Sequence, residues 1–268
     1  NADDEILIPS PDYPLWTTVV GLAGGNAVHY SCDENDEWNP DLADIESKIT
    51  SKTKGIVLIN PNNPTGTMVT QEAIDRFMER VPDHVLVIFD EAYFEFLDHA
   101  PDVLRYVREG RNVVVMRTFS KIQGLANLRI GYGIAPAKIA EVLQKTRQPF
   151  NANGIAQAGA LAGLDDETHM RRTRELTNEG REYLQSEFTA MGLTFIPSVA
   201  NFVLVRVGDG DAVFQALLRR GIIVRAMRSY KLPEWIRVSV GTMEQNRRFI
   251  ADLRALDQEG AIAHASQA

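Results

Sequence analysis

Lys121 follows Thr118, Phe119 and Ser120 in the stretch RTFSKIQGLANLRIGYG (Arg117–Gly133), and Arg129 stands eight residues further on. A lysine in such a place has three chemistries open to it: a solvated surface charge, a point charge for phosphate, or a nucleophilic amine whose pKa its surroundings depress. Thr118 and Ser120 add hydroxyls, and the planar fork of Arg129 suits a phosphate. Gly124, Gly131 and Gly133 allow the backbone to come close to a ligand. A second stretch, VLVIFDEAY, ends an apolar run in Asp90 and places Tyr93 three residues later. An aspartate there either caps the strand or serves as the acidic strand end of a nucleotide hydrolase. The latter needs a G-x-x-x-x-G-K-[ST] phosphate loop, which the sequence lacks. A third stretch, NPNNPTG (Asn60–Gly66), is a rigid turn in which Asn62 or Asn63 can aim an amide toward the same region.

Four apolar runs have to carry these residues. Gly55–Asn60, Val85–Phe89, Asn112–Thr118 and Ile130–Ala135 read as buried strands, apolar on both faces as in a parallel-rich sheet. TQEAIDRFMERVP lies between the first two, with apolar residues at helical spacing and Thr70 as the N-cap. The alternation predicts an α/β domain with a mostly parallel central sheet and helices on both faces. In such sheets ligands gather beyond the carboxyl ends of the strands, where Asn63, Asp90 and Lys121 all fall. After Gly163 the pattern changes to a long charged helix over DDETHMRRTRELTNEGREYLQSEFTAMG. Short strands at LTFIP, NFVLVRV, IIVRA and WIRVSV follow, with helices at DAVFQALLRRG and MEQNRRFIADLRAL. These predict three parts: a large domain over 1–163, a smaller α+β domain over 164–257, and a frayed tail over 258–268.

Bulk properties narrow the function. With 268 residues, 44% of them hydrophobic, the chain can build a substantial core. A formal net charge of −8 argues against broad binding to nucleic acid or anionic membrane. No apolar run approaches the roughly 18 residues of a membrane span. The single cysteine, Cys32, has no partner for an internal disulfide and fits a reducing, cytoplasmic setting. The five histidines form no metal-ligand pattern, so no metal is expected.

A lysine, an aspartate, a tyrosine and an asparagine at strand ends, beside an anion-binding set, are what the carbonyl chemistry of pyridoxal phosphate requires. The sequence resembles the class I/II aminotransferases of fold type I and, from about Gly55 onward, most closely those of the histidinol-phosphate type. NPNNPTG, FDEAYFEF, RTFSKIQGLANLRIGYG, ANFVLV and RVSVGT carry the resemblance, in that order and spacing. It implies that Lys121 condenses with the cofactor aldehyde and then shuttles the substrate proton. Asp90 is implied to pair with the pyridine nitrogen and keep it protonated. Tyr93 and Asn63 are implied to bond the ring hydroxyl; Thr118, Ser120 and Arg129, the phosphate. Tyr13, in PSPDYPLW, matches the aromatic that stacks on the cofactor ring. Arg237, in WIRVSVGT, matches the arginine that grips the substrate carboxylate. Arg225 matches a second arginine for the distal anion, with Arg228 close by as a competitor.

The resemblance further implies a homodimer and ping-pong transfer of an amino group from a small-molecule donor, such as histidinol phosphate, to a 2-oxo acid such as 2-oxoglutarate. It also implies an N-terminal portion ahead of PSPDYP, with an arm, a first strand and a phosphate-binding turn. Nothing in the sequence matches that portion, so the chain reads as a truncated product, a composite or a divergent relative, and alone it is expected to be unstable or to lean on a partner. ILIPSPDYPLWTTVVGLAGGNAVHYSCDE resembles an alanine-type aminotransferase instead. Three competing readings follow: an alanine-type transaminase, a non-catalytic fragment of the fold, and a decarboxylase or lyase on the same scaffold.

Overall fold

Strand β4 (Thr53–Ile59) is central to the computed structural model, which describes residues 2–36 and 38–264. The strands that precede it are β1 (Glu5–Ser10), β2 (Asn26–Asp33) and β3 (Asn39–Pro40); β5 (Leu86–Asp90), β6 (Val113–Thr118) and β7 (Gly131–Ile134) follow. They form one seven-stranded sheet in the order β3-β2-β1-β4-β5-β6-β7, with β2, β1, β4, β5 and β6 parallel and the two edge strands antiparallel. Successive β4 residues point to opposite sides, and both sides are buried. Ile56 and Leu58 join one core with Leu7, Phe77, Phe89 and Val115, while Val57 and Ile59 join a second with Ile8 and Val20. The continuous apolar run of a parallel strand has this cause.

Helices α1 (Leu15–Leu22), α2 (Leu42–Lys48), α3 (Gln71–Arg80), α4 (Leu104–Arg108), α5 (Ala137–Thr146) and α6 (Gly154–Asp165) connect these strands or follow them. Helix α3 begins as expected: the Thr70 hydroxyl accepts the Ala73 N–H at 3.3 Å, and Ile74, Phe77 and Met78 form its buried stripe. Two features depart from expectation. Strands β1 and β2 are not among the four expected: β1, though buried on both faces, shows only the short apolar run ILIP, and β2 is an outer strand of mixed polarity with only Tyr30 deeply buried. The run Ile130–Ala135 is not a buried strand; β7 is an antiparallel edge whose Gly131, Tyr132 and Gly133 are exposed. Gly131 is needed there because a Cβ would stand 2.7 Å from the Arg117 carbonyl oxygen.

The chain divides into two compact units, Asn1–Pro61 with Met68–Arg171 and Asn62–Thr67 with Arg172–Ala268. The division expected at residue 163 lies inside α6; the chain passes between units within α7 (Glu167–Ala190). The second unit holds a sheet ordered β10-β11-β9-β8, from β8 (Phe195–Ile196), β9 (Phe202–Arg206), β10 (Arg225–Ala226) and β11 (Trp235–Ser239). Helices α8 (Gly210–Arg219) and α9 (Met243–Gln258) complete it. Its core joins Leu184 and Phe188 of α7 to Val203, Val205, Ile236, Phe249 and Leu253. Thr242 and Gln245 close a capping box on α9. The chain after α9 is no frayed tail as far as His264, since Ile262 packs into that core and the Ala263 N–H bonds the Val207 carbonyl at 3.0 Å. Residues 265–268 of the expected tail lie outside the described residues.

Candidate active site

Asp90, Tyr93, Thr118, Ser120 and Lys121 lie at or just beyond the carboxyl ends of parallel strands, and the ladder brings these ends together. Asp90 closes β5 and pairs in register with Met116 of β6, and Thr118 closes β6. Beyond β6 the chain turns, Thr118 Oγ1 accepting the Ser120 N–H at 3.1 Å, and delivers Lys121. Beyond β5 it turns also, and Tyr93 comes under the lysine: Lys121 Nζ stands 4.8 Å from the centre of the Tyr93 ring. Lys121 thus lies against a ring face and close enough to Asp90 to pull on its titration. Strand burial and two opposed turns have placed an amine, a carboxyl and a phenol in one group.

Asp90 is the electrostatic centre of that group. Burial pushes its carboxyl above the ordinary 3.8, and hydrogen bonds from Trp16 and the Ala92 N–H, with the charge of Lys121, draw it back only in part. Trp16 Nε1 donates to Oδ2 at 2.9 Å, and the Ala92 N–H to Oδ1 at 3.2 Å. A carboxyl so placed favours a further cationic N–H donor, which a protonated pyridine nitrogen is. The sequence alone does not single out Trp16. It sits in the PSPDYPLW stretch with Tyr13, but nothing in its spacing ties it to Asp90, 74 positions away.

Ser120 and Arg129 are neighbours, with Arg129 Nη1 3.5 Å from Ser120 Oγ and 2.7 Å from the Ala126 carbonyl. Arg129 has the left-handed backbone φ of 53° where the 3-10 turn 126–128 ends, and its side chain is exposed. Hydroxyls at 118 and 120 with a guanidinium beside them have the chemistry of an anion cradle. Tyr13 is 41% exposed ahead of α1, its carbonyl accepting the Trp16 N–H at 3.0 Å.

The remaining candidates belong to the second unit. Asn63 is buried in the 62–67 segment and receives Arg237 Nη1 on its Oδ1. The Arg237 guanidinium also lies 4.8 Å from the centre of the Phe202 ring. Arg225 pairs directly with Arg237 across β10 and β11, which puts two cations on one face of the sheet. Like charges so opposed destabilise a ladder unless an anion joins them. Arg228, the competitor, is committed to Asp211.

Sequence reasoning misses two further charged residues, although both lie in the motifs. Arg117 Nε donates to Glu91 Oε2 at 2.8 Å, and the Arg117 guanidinium stacks 3.7 Å from the Phe94 ring centre. Burial pushes the Cys32 thiol up to about 12, which disfavours the nucleophilic thiolate. Among the described residues, no cluster of His, Cys, Asp and Glu could hold a metal, and no helix is long and apolar enough to cross a membrane.

A seven-stranded, mostly parallel sheet with a lysine and an aspartate at adjoining strand ends defines a class. Residues 1–253 match the family model for aminotransferase class I and II, and the chain belongs to that family. It is 50% identical over 242 residues to the histidinol-phosphate aminotransferase of Akkermansia muciniphila, covering 90% of this chain and 65% of that protein. To histidinol-phosphate aminotransferase 2 of Carboxydothermus hydrogenoformans it is 44% identical over 255 residues, covering 94% and 70%. The chain therefore spans about two-thirds of the length of these curated relatives. The crystal structure of Sinorhizobium meliloti histidinol-phosphate aminotransferase in complex with pyridoxal-5'-phosphate matches with a TM-score of 0.86 and 27% identity. That match covers 97% of this chain and 72% of that one. The Clostridium acetobutylicum enzyme of the same name shares the fold, with a TM-score of 0.89 at 24% identity, over 96% of this chain and 78% of that one.

Proposed function

We propose that the chain is a pyridoxal-phosphate aminotransferase of the histidinol-phosphate type, exchanging an amino group between histidinol phosphate or a close analogue and 2-oxoglutarate. The observation that carries this reading is the grouping of Lys121, Tyr93 and Asp90 at the ends of β5 and β6. The names of the relatives at 44–50% identity support the substrate assignment.

The residues fit the cofactor. Asp90, raised by burial and already bonded by Trp16, would hold the ring nitrogen in its protonated form. Tyr93 and Asn63 would bond the ring hydroxyl, Tyr13 would stack on the ring, and Thr118, Ser120 and Arg129 would bind the phosphate. When bound, pyridoxal phosphate supplies an aldehyde for amines and a heterocycle that takes up the electrons left on the substrate carbon. Lys121 Nζ would lift and return the proton at the substrate α-carbon. Arg237 would grip the substrate carboxylate, exchanging its amide partner for a charged one, and Arg225 opposite it would meet a distal anion such as phosphate. The paired arginines favour substrates with two anionic ends.

A homodimer and a cytoplasmic setting complete the proposal, the first from the family resemblance and the second from the single cysteine. The test is direct. Added pyridoxal phosphate is expected to give the protein a visible absorption band, and Lys121→Ala to abolish both the band and turnover. A folded wild-type chain with no band would sink the reading. Comparing 2-oxoglutarate with pyruvate as amino acceptor separates the histidinol-phosphate type from the alanine type.

A further inference from the structure

The pair Glu91–Arg117 is enclosed, its side chains 3% and 13% exposed, yet neither residue belongs to the lysine group. Its position in the chain is distinctive. Asp90 and Tyr93 go to the Lys121 side, whereas Glu91 and Phe94, interleaved with them, go to the Arg117 side. On the neighbouring strand Arg117 immediately precedes Thr118 and stands four residues before Lys121. The ion pair therefore ties the root of one turn to the root of the other. Apart from it, these roots are joined by the Asp90–Met116 ladder pairing and the Glu91 N–H to the Met116 carbonyl, 2.9 Å.

We propose that Glu91 and Arg117 are positioning residues, holding the turn of Asp90 and Tyr93 in register with the turn that carries Lys121. The inference rests on the pyridoxal-phosphate reading of the site. A purely stabilising role explains the pair poorly, because an enclosed ion pair usually gains little over apolar residues of similar volume. What the pair adds is direction: one Nε–H bond and one stacked ring fix the guanidinium in a single plane. Burial pushes the Glu91 carboxyl up to about 7 against the pull of Arg117, with Glu95 and Asp102 opposing its ionisation from nearby and Tyr132 also interacting with Arg117. Ionising Glu91 in that setting is costly, as expected of a residue kept for geometry.

The experiment uses the full chain, and its key variant is the double substitution Glu91→Leu with Arg117→Met, which removes both charges together and should leave the fold intact. Pyridoxal phosphate is added, trapped on lysines with borohydride, and located by peptide mapping. Trapping on Lys121 is expected to fall roughly ten- to hundredfold at an unchanged thermal midpoint. Hydrogen exchange without cofactor is expected to quicken over 90–97 and 117–124 while β1 and β4 stay protected. A folded double variant that traps at Lys121 as fully as wild type, with unchanged exchange, overturns the proposal. If the double variant does not fold, Glu91→Asp, which keeps the charge but draws it back by one carbon, takes its place. Reduced trapping with faster exchange in that variant supports the proposal, and wild-type behaviour in both overturns it. Wild type that never traps at Lys121 overturns the site reading and this inference with it, an outcome recognisable because no variant is involved.

Discussion

Asp90 is the residue whose ionisation the fold most directly opposes at the site. Burial raises its carboxyl above 3.8, so the folded chain favours the protonated form more than the unfolded chain does. The sign of its linkage follows: its stabilising contribution is complete below the ordinary carboxylate value and is lost as pH rises through the raised one. Urea unfolding of the cofactor-free protein at several pH values is therefore expected to show stability declining across that window, and Asp90→Asn to flatten the decline. Equal slopes in the two proteins would refute the account. Much of this chemistry can be read from residue type, since Asp90 ends one apolar run and Lys121 closely follows another, where ligands collect. Trp16 cannot, because its bond to Asp90 depends on how α1 packs beside the sheet.

At the scale of elements, the readable parts are those with both sides buried or a firm start. Strands β4, β5 and β6 appear as unbroken apolar runs because neighbours cover them on either side, and α3 declares itself through Thr70. Strands β2 and β7 lie further out, where one-sided burial tolerates His29, Ser31 and two glycines, and the pattern weakens. The turn after β4 shows how strict an unremarkable loop can be. Gly66 has φ +78°, and a Cβ there would stand 2.2 Å from Ser198 Oγ. Gly66→Ala is expected to cost about 2–4 kcal/mol, from combined backbone strain and overpacking. Chemical denaturation measures it, and a loss no larger than that of Gly110→Ala, where φ is +72° but nothing crowds the site, would count against the steric part.

For the molecule entire, the notable quantity is the apolar surface of the first unit. Leu15, Val19 and Leu22 recur at helical spacing along α1, and Leu22 is 83% exposed; Ile155 and Leu161 of α6 are exposed as well, and Phe150 is 98% exposed. Covering one such side chain fully is worth about 1.5–3 kcal/mol, enough for a handful to drive association. The chain is expected to sediment above its 29.9 kDa monomer mass at micromolar concentration, and Leu22→Glu with Phe150→Ser to shift it toward monomer. A wild-type monomer throughout that range would contradict this.

The allotment of residues 62–67 to the second unit bears on how the polypeptide can be made and divided. During synthesis this short piece emerges long before Arg172, so its permanent neighbours, Val199 and Arg237 among them, do not yet exist. Closing such distant pairings delays folding, since the intervening loop entropy must be overcome first. Nor can a gene be cut at position 171 to give two self-sufficient products. The downstream piece would lack the carbonyl of Gly66 for its Val199 amide and the side chain of Asn63 for its arginine.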